Sequence, residues 1–167
     1  MTRGELLSIV PGNPCDVIQL EAALRGQDAV LSALGSSGFG PTSLCSDAAH
    51  STVEAMSRTG VRRLVIISSA LLFPNLGLLA TILRRFVFYN VLRDALEMER
   101  VVSETELNWT VARPPRLTDG QHTGRYRVEV NQLPQRGRTI PRANLAHFML
   151  DELETERHFR MLVGVCN

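Results

Sequence analysis

Short apolar runs alternate along the chain with stretches whose apolar positions recur every three or four residues, which predicts strands and helices in turn. The clearest run is 64–70, Leu-Val-Ile-Ile-Ser-Ser-Ala, continuous rather than alternating. Such runs mark strands buried on both faces, as in a parallel sheet covered by helices. Before it the pattern predicts a strand at 6–10, closed by a Pro-Gly-Asn-Pro turn, and a helix capped by Asp16 that runs to Leu24. That helix has Ile18, Leu20, Ala23 and Leu24 as its apolar set and Gly26 as its stop. A second buried strand follows at 28–34, then a flexible Gly-Ser loop at 35–40 and a helix over 42–59 ended by Gly60.

Beyond the central run lies an apolar loop, 71–83, and then a helix over 90–105. Its Val91, Ala95, Met98, Val101 and Val102 are expected to face inward, while Arg93, Glu97, Glu99, Arg100 and Glu104 form a solvated face. A strand at 108–112 is broken by Arg113-Pro-Pro, since proline cannot continue a ladder. After a polar loop come a strand at 126–130, a helix at 141–153 and a last strand at 159–165. Strands alternating with helices at this spacing imply an α/β fold, a doubly wound and mostly parallel sheet. The 167 residues, 44% hydrophobic, suffice for one domain, 1–167.

Composition narrows the chemistry. A net charge of +1 and a pI near 7.8 imply neither nucleic acid nor an anionic membrane as partner. All 18 basic residues are arginine, so a Schiff-base lysine, a phosphate-loop lysine and a Tyr-x-x-x-Lys pair are excluded. Cys15, Cys45 and Cys166 are far apart and read as reduced, which suggests the cytoplasm. His50, His122, His147 and His158 show no metal-ligand spacing, and no metal is expected. The amino terminus lacks the apolar core of a signal peptide, and 71–83 is too short to span a bilayer.

In open α/β sheets ligands bind beyond the carboxyl ends of the strands, where Ser68 and Ser69 fall. The alternative is that these hydroxyls only satisfy loop backbone groups.

Several stretches in order, Gly12-Asn-Pro-Cys-Asp, Leu24-Arg-Gly-Gln-Asp-Ala-Val, Ala33-Leu-Gly, Ser68-Ser-Ala, Arg113-Pro-Pro-Arg-Leu-Thr-Asp and Thr123-Gly-Arg-Tyr, carry a resemblance. The chain resembles atypical short-chain dehydrogenases with an NAD(P)-binding Rossmann domain, nearest to the biliverdin-IXβ reductase/flavin reductase group and its NmrA-like relatives. Family members open with a Gly-x-x-Gly-x-x-Gly loop whose amides hold the pyrophosphate; no such loop follows a strand here. The sequence therefore looks like a member lacking its first two strands. Run 6–10 is then expected either to move beside 28–34 or to lie unpaired.

By resemblance, Gly12 and Asn13 fall where the family places a Gly-Asp pair against the adenine. Ala33, Leu34 and Gly35 match the strand end along which adenosine and pyrophosphate run. Ser68 and Ser69 match positions beside the nicotinamide and substrate. Arg113, Pro114 and Pro115, with Arg116 and Leu117, match the border of the nicotinamide face. The family's tyrosine and lysine positions fall on Val91 and Ala95, so Tyr89 and Arg93, two residues off, are a false lead. The resemblance thus implies NADP or NAD as cofactor and hydride transfer to an aromatic acceptor such as a flavin. In that reaction Ser69, the catalytic candidate, orients the acceptor and solvent supplies the proton. A homo-oligomer is left open. The alternatives are a non-catalytic NmrA-like dinucleotide sensor and a truncated, inactive family member.

Overall fold

The structure, a computed structural model, describes residues 7–74 and 76–167. Its centre is a five-stranded sheet built from β1 (Ala29–Ser32), β2 (Arg63–Ile67), β3 (Asn108–Arg113), β5 (Arg127–Val130) and β7 (Met161–Cys166). The order across the sheet is β1-β2-β3-β7-β5, with every pairing parallel except β5 against β7. β4 (Arg116–Thr118) and β6 (Thr139–Pro141) form a separate parallel pair. The expected doubly wound, mostly parallel architecture is what the chain adopts.

Helices cover both faces because the pleat sends successive side chains to opposite sides. Leu64, Ile66, Trp109 and Val111 pack toward α1 (Val17–Leu24), α2 (Leu44–Thr59) and α4 (Tyr89–Ser103). Val65, Ala112, Val163 and Val165 pack toward α5 (Arg142–Thr155), through Leu145, Phe148 and Met149. Each face of β2 is therefore buried, which is why its sequence does not alternate. Asp16 caps α1 as expected, its carboxylate accepting the amides of Ile18 and Gln19. No described helix is long and apolar enough to cross a membrane.

At the amino ends of the strands, Arg63 ties the sheet to α5. Its guanidinium donates to Thr110 Oγ1 at 2.9 Å and to the Glu152 carbonyl at 2.9 Å, and it lies over the Phe159 ring at 4.9 Å. The carboxylate of Glu152, 1% exposed, takes His158 Nδ1 at 2.6 Å.

Several expectations are corrected. Residues 7–10 form no strand, and Leu7, Ile9 and Val10 are exposed; Leu6 lies outside the described residues. Of the two arrangements expected for this run, the unpaired one is observed. The strand expected to be buried at 28–34 is the sheet edge, with Leu31 39% exposed, because no described strand pairs with its outer side. Ile18 and Ala23 point outward from α1, and Val17 packs inward instead. The apolar stretch 71–83 is not a loop. A 3-10 turn, Ala70–Leu72, is followed by α3 (Leu78–Phe86), since Leu-Leu-Ala-Thr-Ile-Leu-Arg-Arg-Phe after Gly77 is built largely of helix formers. Glu99, assigned to the solvated face, is 5% exposed. The polar loop after Pro115 contains β4 and, further on, β6.

Candidate functional site

A cavity of about 850 Å³ opens at the carboxyl ends of β1 and β2. That is within the range of roughly 300–1,000 Å³ typical of small-molecule sites. Leu34, Gly35 and Ser36 line it from the segment after β1, and Ile67, Ser68 and Ser69 from the end of β2. Val91, Ala95 and Met98 contribute one face of α4, and Leu79, Ala80 and Leu83 one face of α3. Pro115, Arg116, Gly137 and Arg138 add a more polar stretch. Phe39, in the Gly-Ser loop, meets the lining residue Phe88 edge-on at 5.3 Å, which holds that loop against the start of α4.

The two serines are used differently. Ser68 donates its backbone amide to the Ala112 carbonyl at 2.7 Å, while its Oγ is buried without a hydrogen-bond partner among the described residues. A buried hydroxyl without a partner is costly, and a ligand atom beside it would remove that cost. Ser69 Oγ accepts the Leu71 amide at 3.3 Å and so caps the 3-10 turn, leaving its own proton to donate. The alternative weighed for these hydroxyls, loop satisfaction, thus describes Ser69 in part. Ala70 donates to the Pro114 carbonyl at 2.9 Å, which joins the end of β2 to the segment after β3.

Behind the cavity, Asp94 of α4 is 4% exposed and caps α2 from another element. Its carboxylate accepts the amides of Cys45 at 3.0 Å and Ser46 at 2.9 Å and the Ser46 hydroxyl at 2.7 Å. Burial alone would raise this carboxyl, but those hydrogen bonds outweigh it and hold it below its ordinary value. Burial and the neighbouring Asp94 push the Cys45 thiol up to about 11, so this cavity-lining thiol is neutral and inert. The amino end of α2 is therefore closed to a ligand phosphate.

A family model described as NAD(P)H-binding matches residues 2–156. The chain belongs to this NAD(P)H-binding family. Three solved structures share the NAD(P)H-binding fold at low identity. The chain is 20% identical to a candidate NADH-flavin reductase of Streptococcus pneumoniae, covering 100% of this chain and 83% of that one, TM-score 0.75. It is 20% identical to a wide-type short-chain dehydrogenase/reductase of Veillonella parvula in complex with NADP, covering 96% and 72%, TM-score 0.76. A candidate exported protein of Burkholderia pseudomallei is 22% identical, covering 93% and 79%, TM-score 0.75.

Of the residues singled out from sequence in this NAD(P)H-binding chain, Leu34, Gly35, Ser68, Ser69 and Pro115 come together at the cavity. Gly12, Asn13, Ala33, Arg113 and Pro114 are not part of its lining. Asn13 shapes the turn before α1: its Oδ1 accepts the Cys15 amide at 3.0 Å and its carbonyl the Asp16 amide at 3.0 Å. The Arg113 guanidinium is 7% exposed, with Nε donating to Glu99 Oε1 at 2.9 Å and its carbon 4.7 Å from the centre of the Phe73 ring. Val91 and Ala95 face the cavity, whereas Tyr89 and Arg93 line a different groove with Arg85 and Leu96. Cys45, Met98, Phe88 and Arg138 line the cavity without having been singled out for it. For Met98 the inward helical spacing was a signal; for Arg138 there was none.

The cavity residues fit the reacting half of a dinucleotide: a glycine that admits close backbone approach, an unpartnered hydroxyl and an apolar wall. They offer no Gly-rich loop for the pyrophosphate. Among the described residues no group of His, Cys, Asp and Glu is arranged to hold a metal ion.

Proposed function

We propose that this protein is an NAD(P)H-dependent oxidoreductase of the flavin reductase type, passing hydride to an aromatic acceptor held in the cavity. The observation that carries this reading is the α4 wall. Its two inward positions, Val91 and Ala95, are apolar, so the side chains facing the reacting centre include no tyrosine or lysine to donate a proton. A carbonyl substrate needs such a donor to neutralise the developing alkoxide. A conjugated aromatic acceptor spreads the incoming charge over its ring and can draw its proton from water, so it needs positioning above all. NADP(H) or NAD(H), when bound, supplies the hydride and leaves oxidised, while the acceptor gains hydride and a solvent proton.

On this reading, Leu34 and Gly35 support the approach of the dinucleotide along the β1 end. Ser68 hydrogen-bonds a polar atom of the cofactor or acceptor, and Ser69 donates its remaining proton to orient the acceptor ring. Leu79, Leu83, Val91 and Met98 exclude water from one side of the ring, which limits side reactions. The residues assigned to cofactor contact from sequence but outside the lining, Gly12, Asn13, Ala33, Arg113 and Pro114, carry no step.

The test is steady-state oxidation of NADPH and of NADH by the purified protein, with a flavin and, separately, with a small aldehyde. Flavin-dependent turnover without aldehyde-dependent turnover supports the reading. Aldehyde turnover contradicts it. Cofactor binding with no turnover on any aromatic acceptor favours instead a dinucleotide-sensing, regulatory protein. For Ser69→Ala the expected result is about a ten-fold loss in kcat/KM, equivalent to one hydrogen bond.

A further inference from the structure

Two cationic residues of the cavity have no counter-charge. β4 and β6 run parallel with Arg116 opposite Thr139, so Arg138, one residue earlier, sits diagonally beside Arg116. Neighbouring strands are about 5 Å apart, and like charges placed side by side on them repel. Most comparable arginines here are compensated: Arg63, Arg100, Arg113, Arg142 and Arg160 each meet a carboxylate. Arg116 and Arg138 meet none among the described residues. Yet Arg138 is carefully placed. Gly137, just before it, closes a turn onto the Pro134 carbonyl at 2.9 Å, and a Cβ there would stand 2.4 Å from Cys166 Sγ. The turn is therefore packed against β7, and the cationic pair is anchored to the sheet at the edge of a cavity whose remaining wall is largely apolar.

We propose that Arg116 and Arg138 form a clamp for an anionic group, phosphate or carboxylate, carried by the acceptor, whose apolar ring lies against α3 and α4. The substrate class is thus an amphipathic aromatic anion. This rests on the reductase reading above and deepens it. Guanidinium forks match carboxylate and phosphate oxygens, and the anion would relieve the repulsion between the two arginines. The same chemistry could come from a phosphate of the cofactor, so the experiment must separate the two sources.

The experiment compares binding of flavin mononucleotide and of riboflavin, which share a ring and differ in a phosphate, by quenching of flavin fluorescence. The proteins are wild type, Arg116→Gln/Arg138→Gln and Arg116→Lys/Arg138→Lys, with NADPH and NADH titrated against each. Both positions are exposed, so the variants are expected to fold. The proposal predicts that wild type prefers the phosphorylated flavin by about ten-fold or more, the strength of charge-assisted hydrogen bonds. The Gln variant should lose that preference through weaker binding of the phosphorylated form alone, and the Lys variant should keep part of it. A preference that survives in the Gln variant overturns the clamp. So does a loss confined to NADPH and NADH, which would assign the arginines to cofactor phosphate. Should neither flavin bind wild type, the reductase reading fails, and the clamp is judged on anilinonaphthalene sulfonate against neutral phenylnaphthylamine. An arginine-dependent preference for the sulfonate upholds it; an arginine-independent one overturns it.

Discussion

Strand parity decides what Arg113 does. Trp109 and Val111 face α4, so two residues on, Arg113 faces α4 as well, where Glu99 meets it in the core. That much could have been read from β3 alone; its partner could not, because Glu99 sits among Glu97, Arg100 and Glu104, which do face solvent. Removing one partner of a buried pair strands the other charge. Arg113→Met is therefore expected to cost about 3–5 kcal/mol, with much of it recovered in Arg113→Met/Glu99→Leu. Denaturant titration of the single and double variants checks this; a double variant as unstable as the single would contradict it. Asp94 is a different case, a cap supplied from forty-odd positions away that no local sequence signature announces. Asp94→Asn should cost about 1–3 kcal/mol near neutral pH. Because the folded carboxyl lies below its ordinary value, its stabilising contribution is present above the unfolded pKa of about 4 and is lost as pH falls through the folded one. The gap between wild type and Asp94→Asn should accordingly narrow on acidification, as unfolding free energies measured across that range would show.

Among the elements, β2, β3 and α2 follow from hydrophobic period alone, since long apolar runs and helical spacing leave few alternatives. Where the sequence misled, a neighbour was the cause. The apolar stretch 71–83 contains Pro74 and Gly77, breakers that suggest a loop, and α3 begins only after them with no described residue buried. β4 and β6 are three residues each and exist because they pair with one another, which a local pattern cannot reveal. The run 7–10 has strand composition, but composition does not make a strand without a partner edge. β7 depends on a glycine for a reason equally invisible in sequence. A Cβ on Gly164 would lie 2.2 Å from the Gln132 carbonyl oxygen and 2.8 Å from Leu133 Cα, both backbone. Gly164→Ala should cost about 3 kcal/mol or abolish folding, measured by thermal unfolding and soluble yield. On α4, Val91→Trp would fill cavity space rather than core, so stability should change by less than about 1 kcal/mol while acceptor KM rises about ten-fold. Unchanged KM would mean that the acceptor does not contact this wall.

For the whole molecule, the α/β class and the parallel sheet were legible because strands and helices alternate at regular spacing. About half of the residues singled out for the site do converge on one cavity, those at the carboxyl ends of β1 and β2 and at Pro115. The others were positioned by likeness along the chain, which carries register but not the direction of a side chain: Asn13 turns into its own loop and Arg113 into the core. The NAD(P)H-binding family is shown, yet the chain presents no Gly-rich loop and closes the amino end of α2 with Asp94. Cofactor affinity would then come from the strand ends and the cavity itself. The measurement that bears most directly on this is calorimetric titration of the purified protein with NADPH and with NADH. The account predicts saturable one-to-one binding at micromolar affinity, about 8 kcal/mol, for at least one of the two. No heat and no saturation at millimolar cofactor, with the protein shown to be folded, would contradict it.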